Sequence, residues 1–141
     1  MFQRLALALS AAAALVVTGA ATAANGAAPD KPSSSISPPI VVSSSSFTAL
    51  ATGGPHYGDT VTFDVTTTAT SYPFVNLTCY QNGGLVAQGS AGFFAGALGN
   101  GTFGLYSPKW TGGAADCTAY LDMYSHGKWK HLASTSFHVD A

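Results

Sequence analysis

Any chemistry in this 141-residue chain must come from a short list of side chains: His56, His126, His131, His138, six aspartates, two cysteines and many serines, with no glutamate. A hydrolytic triad needs a serine, a histidine and an acid brought together, and no Gly-x-Ser-x-Gly elbow occurs to announce one. A glycosidase would have to rest on two aspartates, and none of the six sits in a recognisable context. His56 lies beside Gly54-Pro55 in a predicted loop, His126 at a predicted hairpin tip, and His138 alternates outward from Phe137 and Val139. His131 shares parity with the inward set and reads as a hydrogen-bonded edge residue. His126 and His131 straddle a turn at a spacing that is unspecific for metal. Catalysis is therefore disfavoured, and neither a metal site nor a cofactor is expected.

The aromatic residues are stronger candidates. If the sheet face opposite the core carries Phe74, Tyr80, Tyr120 and Tyr124, with Trp129 nearby on the hairpin, these rings form one exposed platform. Such a platform stacks on sugar rings or anchors a protein partner. The alternative is that other segments cover some of the rings, which then merely suit strands. Gly92-Phe93-Phe94-Ala95-Gly96 is a second candidate, expected to fold over the core rather than to form a sticky tip.

The elements that would position these residues follow from alternation. Val61, Phe63, Val65 and Thr67 alternate with Thr60, Thr62, Asp64 and Thr66, after the turn signals Gly53-Gly54-Pro55 and Gly58-Asp59. Residues 74–81 place Val75, Leu77 and Cys79 on one side and end at the turn Asn82-Gly83-Gly84. A short partner strand is expected at 85–88, then a glycine-rich stretch over 89–101, then a strand marked by Phe103 and Leu105. Ala115, Cys117, Ala119, Leu121 and Met123 give the clearest strand. The return strand after His126-Gly127 turns Ala133, Thr135, Phe137 and Val139 inward. Outside the first residues nothing shows helical periodicity.

Cys79 and Cys117 both fall on the apolar faces of their strands, so a bridge between them needs no side chain turned around. A two-thiolate metal site or a catalytic thiol would require further ligands or a paired histidine that the spacing does not announce. A disulfide is the expected state.

Residues 1–23 read as a signal peptide: Arg4 near the start, an apolar run over 5–17 and the small-residue site Ala21-Thr22-Ala23. An apolar run of about 13 residues is shorter than the roughly 20 a membrane helix needs. The expected location is secreted or extracellular, with no stable membrane insertion after cleavage. Residues 24–46 are rich in Pro, Ser and Ala and read as a linker, although Ile36 and Ile40-Val41-Val42 offer an edge strand. The folded domain is expected over 47–141. Beyond Ala23, four lysines face six aspartates, a net charge of −2 that gives no attraction to nucleic acid or anionic lipid.

About seven short strands in roughly 95 residues, with Gly58-Asp59-Thr60-Val61-Thr62-Phe63 opening one and Ala115-Asp116-Cys117-Thr118-Ala119-Tyr120 forming a late one, resemble an immunoglobulin-like β-sandwich. In antibody domains the first cysteine lies on the second strand and a tyrosine stands two residues before the second cysteine. Here Cys79 falls on the third strand and Ala115 takes the tyrosine position. The resemblance is thus to the looser modules of bacterial and phage surface proteins, and it implies a single antiparallel sandwich with an adhesive, structural or spacer role. The expected function is a non-catalytic binding or adhesion module for a surface protein or carbohydrate. The alternatives are a structural subunit that self-associates through a sheet edge and, last, a small secreted enzyme.

Overall fold

The period-two segments fold as strands, and no helix occurs among the residues that a computed structural model describes, 30–42 and 53–141. The expected signal peptide, the first part of the linker and residues 43–52 lie outside the described residues. Among these described residues nine strands follow in chain order: β1 (Ser34–Ile36), β2 (Ile40–Val41), β3 (Thr60–Thr62), β4 (Val65–Thr67), β5 (Phe74–Gln81), β6 (Gly84–Gly92), β7 (Phe103–Gly104), β8 (Ala115–Ser125) and β9 (Lys128–Val139). All strand pairs are antiparallel. The long strands form one sheet in the order β6-β5-β8-β9, and the short ones pair as β2-β3-β7 and β1-β4.

Two hairpins build the large sheet. Asn82 and Gly83 turn β5 into β6 at φ of 50° and 78°, and His126 and Gly127 turn β8 into β9 at 52° and 75°. Left-handed backbone at both central positions is the two-residue turn whose twist matches its flanking strands, and glycine is the residue that adopts it without strain.

The segment expected to be a tether contributes β1 and β2, which line up along β4 and β3. Ile36 pairs with Val65 and Ile40 with Thr62, so four steps on the first strand match three on the second. The break falls at Ser37-Pro38-Pro39, where two residues lack the N–H that a ladder requires. The single strand expected from Val61 to Thr67 is correspondingly split into β3 and β4. The short partner strand expected at 85–88 also needs correction, because β6 runs through Gly92 into the glycine-rich stretch.

One hydrophobic cluster fills the interior. Val75, Leu77, Cys79, Ala115, Cys117, Ala119, Leu121 and Val139 come from the inner face of the large sheet, and Val61, Phe63, Phe103, Leu105 and Trp110 from the opposite side. Phe63 joins the layers: its ring centroid lies 5.9 Å from Phe103 of β7 and 6.1 Å from Phe137 of β9. This is a sandwich-like arrangement, held by apolar contacts between sheets. Trp110 is buried with its indole N–H donated to the Gly113 carbonyl at 3.0 Å, so the ring's polar edge is satisfied inside the core.

Cys79 and Cys117 form a disulfide. They are directly opposed on the neighbouring strands β5 and β8, with Cα atoms 4.0 Å apart. The bridge therefore staples two strands within one sheet, whereas that of antibody domains joins the two sheets.

Candidate binding face

In an antiparallel pair, directly opposed residues project to the same side, so the registers give the outer face of the large sheet row by row. Nearest the β8-β9 turn, Tyr124 opposes Trp129. The next row crosses all four strands as Gly92, Phe74, Asp122 and His131, followed by Ser90, Asn76, Tyr120 and Ser134. Then come Gln88, Thr78, Thr118 and Ser136, and finally Leu85, Tyr80, Asp116 and His138.

His131 reaches this face through a bulge. Leu121 opposes Ala133 but Asp122 opposes His131, leaving Leu132 as the extra residue on β9. A one-residue slip exchanges the faces of every side chain beyond it. The inward parity expected for His131 is therefore reversed, which places its ring beside Asp122.

Asp122 is the one buried charged or polar residue among the described residues, although it stands on the face away from the core. Its carboxyl accepts a hydrogen bond from the Asn76 amide at 2.5 Å and another contact from Nδ1 of His131. The His131 ring lies against Tyr120 with centroids 4.8 Å apart. Asn76, Asp122, His131 and Tyr120 thus form a polar knot in which the buried carboxyl is paired on both oxygens.

Around this knot runs a chain of rings in edge-to-face contact. Tyr72 meets Phe94 at 5.2 Å, Phe94 meets Phe74 at 5.4 Å, Phe74 meets Trp129 at 5.4 Å, and Trp129 meets Tyr124 at 5.2 Å. These are the offset and T-shaped separations that aromatic quadrupoles favour. Tyr72, Tyr124 and Trp129 remain exposed at 65%, 59% and 48%. Gly92 makes room for the cluster: a Cβ there would lie 2.7 Å from the Phe94 ring and 2.8 Å from the Ala97 methyl.

Of the five rings expected to share a platform, Phe74, Tyr124 and Trp129 belong to this chain, and Tyr120 sits next to it against His131. Tyr80 is on the same face but six residues along β5 from Phe74, about 20 Å at some 3.3 Å per residue. It opposes Asp116, not another ring. The Phe93-Phe94 pair divides between the two sides: Phe93 packs against the core, while Phe94 joins the outer rings. Tyr72, Asn76, Asp122 and His131 were not legible as site residues. Tyr72 precedes Pro73 outside any strand, and the other three depend on a register and a bulge that only strand pairing sets.

The floor between the ring chain and Tyr80 consists of hydroxyls and amides. Thr118 and Ser136 share a hydrogen bond of 2.9 Å across β8 and β9. At the far end His138 Nδ1 lies 2.8 Å from the Asp116 carboxylate, and this hydrogen bond, above all, raises His138 from its ordinary value of 6.5. His56 is exposed, its backbone N–H donating to Asp59 at 2.7 Å, and His126 sits in the hairpin turn. Among the described residues no group of three or more His, Cys, Asp or Glu is placed to hold a metal ion, and no helix is long and apolar enough to cross a membrane. Comparison with protein-family models, with curated proteins and with solved structures finds no match to this chain.

Proposed function

We propose that this protein is an exported, non-catalytic binding or adhesion module of immunoglobulin-like build, whose ligand-contacting surface is the outer face of the large sheet. The observation that carries this reading is the chain of five rings Tyr72, Phe94, Phe74, Trp129 and Tyr124 at one end of that face, with Tyr72, Trp129 and Tyr124 exposed and Phe94 and Phe74 half-buried between them. Exposed aromatic area gathered at one end of a face is costly in water and is the kind of surface that partners cover.

Two features support the immunoglobulin-like build. The order β9-β8-β5-β6 corresponds to a G-F-C sheet extended by one strand, and β2-β3-β7 to the A-B-E side of the opposite sheet. On that correspondence the disulfide has moved from strands B and F to strands C and F. Export is supported by the signal-like first residues together with the disulfide, since such bridges persist in oxidising compartments.

The test is an array of glycans and cell-surface proteins probed with the oxidised protein and with a Tyr124→Ala/Trp129→Ala variant. Binding that the double variant loses at an unchanged unfolding temperature is the expected result. An array that stays silent, or a variant that binds as well as the parent, overturns the reading.

A second reading, a self-associating structural subunit, draws on β6. This edge strand carries no charged residue over Gly84–Gly92, whereas the other edge strand, β9, has Lys128 and Lys130, charges that discourage edge pairing. Light scattering that shows concentration-dependent assembly, abolished by Gln88→Lys, would favour it.

A further inference from the structure

Resting on the binding-face reading, we propose that the ligand is an extended neutral glycan lying along β5 and β8, with the ring chain under one end and Tyr80 under the other. The argument is from charge and hydrogen-bonding capacity. Between the two aromatic ends, the face presents Ser90, Asn76, Ser134, Gln88, Thr78, Thr118 and Ser136. Hydroxyls and side-chain amides both donate and accept, as sugar hydroxyls do, so either partner's orientation can be met.

Among the described residues both carboxyls of the face are partnered, although that of Asp116 is 85% exposed. Asp122 is buried between Asn76 and His131, and Asp116 is held by His138. Lys128 and Lys130 oppose Ser125 and Met123 and so project to the other side of the hairpin. A nucleic acid or sulfated chain would need cations here, and an added peptide strand would seek an edge, not a face. Flat apolar rings paired with a neutral hydroxyl floor suit a ligand that alternates C–H faces with hydroxyls.

The geometry also sets a length. Phe74 and Tyr80 are separated by about 20 Å along β5, a span of roughly four pyranose rings. Tyr80 is 46% exposed and stands clear of the other rings, so it offers a second stacking point that only a longer ligand reaches.

Isothermal titration of the oxidised protein against cello-, xylo- and manno-oligosaccharides of about two to six rings tests this, with heparin and polygalacturonate as charged controls. At least one neutral series should bind, with affinity rising to about four rings and then levelling. Trp129→Ala should weaken every length. Tyr80→Ala should weaken the long members about tenfold while leaving the shortest unchanged, and Tyr80→Phe should restore them. Preference for the charged controls, no length dependence, or a Tyr80→Ala variant that binds all lengths normally overturns the glycan assignment. Binding to a surface protein alone, lost in Tyr124→Ala/Trp129→Ala, overturns it too but leaves the binding-face reading standing. Silence toward every probe removes both.

Discussion

Replacing His131 with alanine probes the buried carboxyl of Asp122. That side chain is 2% exposed and its partners are Asn76 and His131, so the substitution strips one oxygen of its donor while the other stays bonded. A buried acceptor left without a partner costs about 1–3 kcal/mol. The His131 side chain is itself 67% exposed, so water can enter where the ring stood, which places the cost toward the lower end, about 1.5 kcal/mol. For a domain of this size each kcal/mol moves the midpoint by about 4–8 °C, so His131→Ala should unfold roughly 6–12 °C below the parent. Thermal unfolding of the oxidised protein, followed by far-ultraviolet circular dichroism, measures it. A double-mutant cycle with Asp122→Asn separates the bond from the loss of ring packing on Tyr120, and the pair should be coupled by about 1 kcal/mol. A His131→Ala midpoint within about 1 °C of the parent, or strictly additive variants, would refute the claim that Asp122 depends on His131.

Cys79→Ala/Cys117→Ala should lose about 4 kcal/mol, the chain-entropy value for the 38-residue separation, in urea unfolding; a loss below about 1 kcal/mol would remove the bridge from the account of stability. Because His138 is raised above its ordinary value by Asp116, the folded state favours the protonated ring. Its contribution to stability is present below 6.5 and fades as pH rises through the higher folded value; in an NMR titration Asp116→Asn should shift the His138 midpoint downward, and an unchanged midpoint would contradict the pairing.

How much of this was legible varies by element, for physical reasons. The limits of β5 and the inward set Val75, Leu77 and Cys79 follow from alternation, because one wet and one dry face impose a period of two. The same holds for β8 and for the Cys79–Cys117 pairing, whose parity already matched. The extension of β6 was hidden, since glycine normally argues against a strand. Gly89 and Gly92 are in β6 because rings approach closely there: a Cβ on Gly89 would lie 3.0 Å from Phe103, and one on Gly92 would meet Phe94. Composition likewise masked β1 and β2, whose few apolar residues, Ile36 and Val41, gain partners only when they pack against the core.

From the sequence alone came the all-β class, the disulfide, the approximate limits of β5, β8 and β9 and the prominence of aromatic residues, because each depends on local pattern and side-chain parity. Which rings meet was decided only by tertiary structure. The bulge at Leu132 turns His131 toward Asp122, the strand registers bring Phe74 to Trp129 while leaving Tyr80 apart, and Phe94 crosses from loop to face. A bulge adds one residue to one strand against none on its neighbour, a property of the pair, and no reading of a single strand contains it.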